Sequence, residues 1–190
     1  MPRLPAASVS RPVERHSVAR WAANARRYPL RRRMALLATS AADAVDGLGG
    51  WMFDAALAGW EVTVVVTERG DERALAVLGA VSLDLDAIAD PVFRATAFDV
   101  FALSTDLFDR DQRVRAAYSA MDRDRRADVI WWGPDAPTDA PTAHHREASR
   151  AARAFKARAL SSDRARAVGI PEQYWSAEPV AGLGVLARIS

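Results

Sequence analysis

Any chemistry in this chain must come from carboxylates, imidazoles, hydroxyls and backbone amides, because cysteine is absent. That absence excludes disulfides, thiolate metal sites and a cysteine nucleophile, and it leaves the redox compartment open. Two of the three histidines are adjacent, His144-His145, and they follow a loop containing Pro134, Pro137 and Pro141. The same loop carries Asp135 and Asp139. A second cluster, Ser40, Asp43 and Asp46, precedes Gly47, Gly49 and Gly50. Asp43, Asp135 and His144 are the candidate acid–base groups, and His145 is the candidate metal ligand. Imidazole and carboxylate together are the usual hard-to-borderline ligands of a hydrolytic zinc. The other reading of the histidine pair is two surface side chains near the start of a helix. Neighbouring helical positions point about 100° apart, so both rings rarely reach one ion.

Asp46-Gly-Leu-Gly-Gly50 offers a different chemistry. Glycines at a helix start expose backbone N–H groups to an anion, which makes Gly49 and Gly50 candidate phosphate-binding positions. The pattern is neither G-x-G-x-x-G nor a P-loop with its lysine. Close packing of a helix on a sheet calls for the same small residues. Trp51, Trp60, Trp131 and Trp132 have two roles open as well: packing between elements, or, for Trp132, a stacking platform for a base or sugar.

The elements that position these residues show in the hydrophobic pattern. Residues 34–39, Met-Ala-Leu-Leu-Ala-Thr, and 61–67, Glu-Val-Thr-Val-Val-Val-Thr, are apolar runs without alternation. Such runs are strands covered on both faces, as in a parallel sheet. Between them, Val45, Leu48, Met52, Ala55 and Ala56 have helical spacing, and Gly59 closes the helix. The glycines place its firm start near Gly50. Residues 72–78 predict a short helix ended by Gly79, and 81–85 a third strand. Strand, helix, strand, helix, strand argues for parallel pairing. Val100, Phe101, Leu103, Leu107 and Phe108 fit a helix, with an extended segment over 93–101 as the alternative. Val114, Ala117, Tyr118 and Met121 continue an apolar helical face. Residues 127–132, Ala-Asp-Val-Ile-Trp-Trp, predict a fourth strand. A long helix is predicted over 144–167, and a last short strand over 182–189. In an open parallel sheet, ligands bind beyond the carboxyl ends of the strands. Here that edge holds Asp43, Asp46, Glu68, Asp71, Asp84, Asp86, Asp135, Asp139, His144 and His145.

Charge is distributed unevenly. Residues 1–33 hold nine arginines and one acid, Glu14, a charge of +8 in a chain whose net charge is +2, leaving −6 on the rest. With Pro2, Pro5, Pro12 and Pro29, this stretch reads as a flexible Arg-rich arm, with a short helix over about 12–27 on which Val13, Val18, Trp21 and Ala25 share a side. Its readings are a solubilising tail, a docking segment for an acidic surface including this protein's own body or a twin subunit, a nucleic-acid or anionic-lipid contact, and a transit peptide. Lysine occurs once, at Lys156, among many arginines; a GC-rich genome accounts for that bias, with selection for guanidinium chemistry as the alternative. No apolar run approaches the roughly 20 residues of a membrane span, and no secretory h-region opens the chain, so a cytoplasmic protein is expected.

The segment Gly49-Gly-Trp-Met-Phe-Asp-Ala-Ala-Leu-Ala-Gly-Trp-Glu-Val-Thr-Val-Val-Val66 resembles the N-terminal helix and second strand of the LmbE-like zinc deacetylases, the family of N-acetylglucosaminyl-phosphatidylinositol de-N-acetylases. Asp128-Val-Ile-Trp-Trp-Gly-Pro134, followed by His144-His145-Arg146, is similar to their later strand and His-Pro-Asp-His-Arg loop. The resemblance spans about 34–85 and 127–160, part of it shared with glycosyltransferase N-terminal domains. It implies a zinc-dependent removal of acetyl groups from glycosides. The family's Ala-His-Pro-Asp-Asp motif, however, stands here as Ala38-Thr39-Ser40-Ala41-Ala42. His145 matches a metal-binding histidine, while His144 falls where the family has Asp and Thr142 where it has His.

The expectation is therefore an α/β fold, a Rossmann-like three-layer sandwich with a mostly parallel sheet. Residues 1–33 form the arm and 34–190 a single domain. The function expected is non-catalytic binding of a small ligand or protein partner, with a degenerate deacetylase-like site and no cofactor. The alternatives are a divergent zinc-dependent de-N-acetylase, using His144 or His145 with Asp43, Asp46 or Asp135, and a nucleotide or nucleotide-sugar binder. An oligomer is compatible with all three.

Overall fold

The structure, a computed structural model, describes residues 17–68, 70, 72–123, 127–137, 142–160 and 169–180. Seven strands form one sheet in the order β3-β2-β1-β4-β5-β7-β6. The first five pair in parallel. β7 is antiparallel to β5, and β6 is antiparallel to β7. The sheet is mostly parallel, with helices on both faces, as the apolar runs predict.

Two strands at the centre explain the layering. β1 (Arg33–Ala38) and β2 (Glu61–Val66) are buried at all six positions each. Alternate side chains therefore feed two separate cores. Met34, Leu36, Val62 and Val64 meet α2 (Ala41–Leu57) and α3 (Arg73–Val77) on one face. Ala35, Leu37 and Val65 meet the opposite layer, which holds Trp21, Phe93, Leu107, Val114 and Met121. These last residues belong to α1 (Val18–Arg27), α4 (Pro91–Ala95), α5 (Thr105–Arg110) and α6 (Gln112–Arg123).

α2 begins at Ala41, earlier than its glycines predict. Ser40 caps it, its hydroxyl accepting from the Asp43 N–H at 3.1 Å. The glycines leave their mark as a kink: Leu48 has φ −128° and ψ 20°, outside the helical range. Gly59 (φ 87°) and Gly79 (φ 76°) end α2 and α3 in the left-handed conformation that suits glycine. β3 (Ala80–Asp84) then completes the first half of the sheet.

Two predicted elements are corrected. Val100, Phe101 and Leu103 lie in a strand, β4 (Val100–Ser104), buried at every position, and helix starts only at Thr105. A short apolar run fits both periods, and here pairing with β1 and β5 (Asp128–Trp132) decides for strand. The helix predicted from residue 144 begins at Arg150. His144 and His145 sit instead in β6 (Thr142–Arg146), ahead of α7 (Arg150–Ala159). The strand that pairs with β6 is β7 (Glu172–Ser176), which the sequence pattern does not reveal. The strand predicted over 182–189 lies outside the described residues.

The arm drawn to residue 33 also shortens. α1 is built into the body: Trp21 is 2% exposed and its indole N–H donates to the Thr63 hydroxyl at 2.9 Å. Arg33 is buried, and its guanidinium donates to the Ala25 and Tyr28 carbonyls at 2.8 and 2.6 Å, satisfying the C-terminal end of α1. Residues 1–16 lie outside the described residues.

Candidate functional site

Strand order reverses direction at β1, whose neighbours are β2 on one side and β4 on the other. Beyond the carboxyl ends of such strands, diverging loops leave a crevice. In this protein a cavity of about 350 Å³ opens there. Asp43, Asp46 and Gly47 from the first turns of α2 form one wall. Trp132 to Pro134, at the end of β5, form another. Lys156, Pro171, Glu172 and Gln173 close it.

The sequence candidates divide on this geometry. Asp43 is half-buried, and its Oδ2 accepts from the Thr39 N–H at 3.1 Å. The carboxylate thereby fastens the end of β1 to the start of α2. The Thr39 carbonyl in turn accepts from the Glu68 N–H and the Thr67 hydroxyl, each at 2.9 Å. Asp46 is exposed at the cavity mouth. Asp135 is exposed and does not line the cavity, nor does either histidine. Alternation along β6 sends His144 and His145 to opposite faces. His144 stacks on Tyr174 at 5.2 Å, with Nε2 3.3 Å from the Ser176 carbonyl. His145 is exposed, opposite Gln173. Burial pushes the hydroxyl of Tyr174 above the ordinary tyrosine range. Asp71 and Asp139 lie outside the described residues.

The glycine cluster is occupied from within. The kink at Leu48 creates a second helix start, whose N–H groups need an acceptor. Glu172 supplies it. Its Oε1 accepts from the Gly50 N–H at 2.7 Å and its Oε2 from the Trp51 N–H at 2.8 Å. Lys156 completes the arrangement, its Nζ 2.7 Å from Glu172 Oε1, with both side chains under 5% exposed. The amides of Gly50 and Trp51 thus meet the protein's own carboxylate. The three glycines serve packing: a Cβ on Gly47 would overlap the Trp132 ring, and one on Gly50 would overlap Ala148. Gly49 lies against Lys156 and Leu78.

A second buried carboxylate holds the next turn of chain. Asp54 Oδ2 accepts from both terminal nitrogens of Arg146 at 3.1 Å and from the Ser149 N–H at 3.2 Å. Its Oδ1 accepts from the Ser149 hydroxyl at 2.7 Å. Sequence reasoning missed Glu172, Lys156 and Asp54. One signal was there: the lone lysine. Ammonium and guanidinium differ in size and donor geometry, so the one lysine kept among arginines is a position worth noting. Trp132 is 2% exposed, and Trp131 meets Phe108 edge-on at 4.7 Å on the other face. Packing therefore dominates the role of both rings.

No protein-family model matches the sequence, and no curated protein does. Solved structures do. The A40926 pseudoaglycone deacetylase Dbv21 superposes with a TM-score of 0.57 at 15% identity, over 80% of this chain and 98% of its own. The zinc-inhibited form of teicoplanin deacetylase Orf2 gives 0.57 at 12% identity, over 76% and 97%. A conserved protein from Thermus thermophilus gives 0.52 at 13%, over 78% and 96%. This chain has the deacetylase fold. The LmbE-like resemblance read from the strand and helix segments is therefore a resemblance of architecture.

The residues at the positions where the LmbE-like resemblance implies metal ligands do not fit zinc. Thr39, Ser40, Ala41 and Ala42 offer hydroxyls and methyls where the resemblance implies His and two Asp. Asp43 is committed to the Thr39 amide. His145 lies on β6, outside the residues that line the crevice. Among the described residues, no three His, Asp or Glu side chains gather at metal-binding range. A catalytic zinc needs about three protein ligands and an open position.

Proposed function

We propose that this chain is a small-ligand-binding protein on the deacetylase fold, without zinc-dependent hydrolysis. The carrying observation is the segment after β1, Thr39 to Asp43, which holds no histidine and a single carboxylate, Asp43, that accepts from the Thr39 amide. The cavity itself supports binding. It sits at the strand-order reversal, the position where open α/β sheets take their ligands. Lys156 and Glu172 neutralise each other in its wall, which leaves Asp43 and Asp46 to set its potential. Two carboxylates repel phosphate and favour an amine or a hydroxyl-rich group. A hydroxyl-rich or amine-bearing small molecule, such as an amino sugar, therefore suits the crevice better than a nucleotide. The second reading, a divergent metal-dependent de-N-acetylase, draws its support from the deacetylase activity of the structural neighbours.

One experiment addresses both. Protein purified without a polyhistidine tag is loaded with zinc, dialysed and analysed for metal, then screened by thermal shift against glucosamine, N-acetylglucosamine and nucleotides. The proposal expects well under one zinc per chain, a shift with the amino sugars, and loss of that shift in Asp46→Asn. One zinc per chain that His145→Ala removes would establish the second reading instead. Stabilisation by nucleotides alone would overturn the ligand class.

A further inference from the structure

The turn between α1 and β1 carries a cluster that the crevice does not use. Arg26, Arg27 and Arg31 are exposed and, among the described residues, have no acidic partner. Two of them flank one ring: the guanidinium of Arg31 lies 5.0 Å from the centre of Tyr28, and that of Arg27 lies 5.6 Å away. At the tip stands Leu30, 96% exposed, next to Pro29. Leu57, 68% exposed, ends α2 at this same amino edge of the sheet. The edge is divided by charge. Toward β4 and β5 it becomes acidic, with Asp99, Asp122, Asp128 and Glu178 around a separate hollow. The two halves meet at the Arg32–Asp99 ion pair, 2.9 Å.

We propose that the turn holding Arg26 to Arg31 seats this protein on an anionic phospholipid surface. Guanidinium groups with no acidic partner among the described residues, around an exposed alkyl and aromatic tip, match a layer of phosphate above hydrocarbon. The cations meet the headgroups, and Leu30 and Tyr28 enter the acyl boundary. A nucleic acid would instead hold Leu30 against phosphates, where an alkyl group gains nothing. Among the described residues no helix is long and apolar enough to span a membrane, so the contact is peripheral. The crevice lies at the opposite edge of the sheet and stays open to solvent.

Vesicle flotation of the full chain tests this, with roughly a third of the lipid phosphatidylglycerol and about 0.1 M salt. The wild type floats with these vesicles and not with neutral phosphatidylcholine. Leu30→Ser weakens binding about tenfold, the loss expected for one buried leucine. The triple variant R26S/R27S/R31S weakens it about fivefold per guanidinium. All four side chains are exposed, so the melting temperature stays at the wild-type value and reports that the fold is intact. Absence of flotation overturns the proposal. So does flotation that Leu30→Ser leaves intact, or a loss that follows R3S/R11S/R15S in place of the turn. Tighter binding to a short duplex than to the vesicles overturns it in favour of nucleic acid.

Discussion

The five parallel strands and the antiparallel corner are one sheet held by two kinds of force. In the parallel part, β1, β2 and β4 have no exposed residue, and their side chains are alkyl and aromatic almost throughout. Register follows from apolar burial on both faces. The corner, β7 and β6, is polar. β6 has no fully buried position, and β7 opens with a buried glutamate. Charge-assisted contacts replace apolar area there: Lys156–Glu172 with two backbone amides, and Asp54 with Arg146 and Ser149. The contrast matters for the crevice. Its α2 and β5 walls ride on the apolar part, whereas Lys156, Glu172 and Gln173 ride on the corner.

The contrast breaks most visibly at Glu172. Glu172→Ala leaves a buried ammonium and two helix-start amides without an acceptor. The expected loss is about 3–5 kcal/mol, the range for removing one partner of a buried pair. Urea denaturation measures it. The double variant Glu172→Gln with Lys156→Met removes the orphaned charge and keeps an acceptor, so it recovers much of the loss. A single-variant loss under about 1 kcal/mol would mean the corner is held by packing, like the rest of the sheet. On the parallel side the matching variant is Trp21→Ala, at roughly 3–4 kcal/mol from lost burial alone. Its cost also measures how firmly α1 belongs to the body.

These two forces explain what the sequence shows and hides. β1 and β2 are legible because a run without polar residues has one explanation, burial on both faces. β4 is not, because Val100, Phe101, Leu103 and Leu107 satisfy helical spacing across what is a strand followed by a turn of helix. β6 and β7 are hidden more deeply. Their register pairs His144 with Tyr174 and Arg146 with Glu172, across about 30 residues, and neither strand alternates. Within the site, Asp43 is legible as a carboxylate after the first strand. Its task of pinning Thr39 is not, since sequence does not say which amide a side chain meets. Gly49 and Gly50 are legible as a break in the helix, which the structure has as the kink at Leu48. The acceptor of the Gly50 amide, Glu172, lies 122 residues away in the chain. α1 is half legible: a helix with Trp21 and Ala25 on one side is read from the spacing, but its burial against the sheet is not, because the charge around it dominates.

Two smaller effects sharpen the comparison. Asp54→Ala removes the acceptor of Arg146 and Ser149 in the corner. Arg146 keeps some contact with solvent, so the expected loss is about 2–3 kcal/mol, below that of Glu172→Ala. In the parallel part, Gly79→Ala forces a side chain into a φ of 76° and brings its Cβ within 2.9 Å of Ala56, at the turn into β3. Left-handed backbone costs a non-glycine residue about 1–2 kcal/mol. A loss larger than that of Asp54→Ala would reverse the ranking of the two regions.

The smallest effect is a pH dependence at the join. Tyr174 stands in β7 between Trp51 at 4.9 Å and His144, and burial raises its pKa above the ordinary 10.0. A raised pKa means the folded state holds the proton more tightly than the unfolded chain does. The stabilisation is complete below the unfolded value, near 10, and is lost as pH climbs through the folded one. Melting temperature should therefore fall more steeply above about pH 10 in the wild type than in Tyr174→Phe, with the two curves parallel near neutrality. Parallel curves across the alkaline limb would show that the Tyr174 hydroxyl reaches water through the corner, whose polar strands would then be looser than the ion pairs beside them imply.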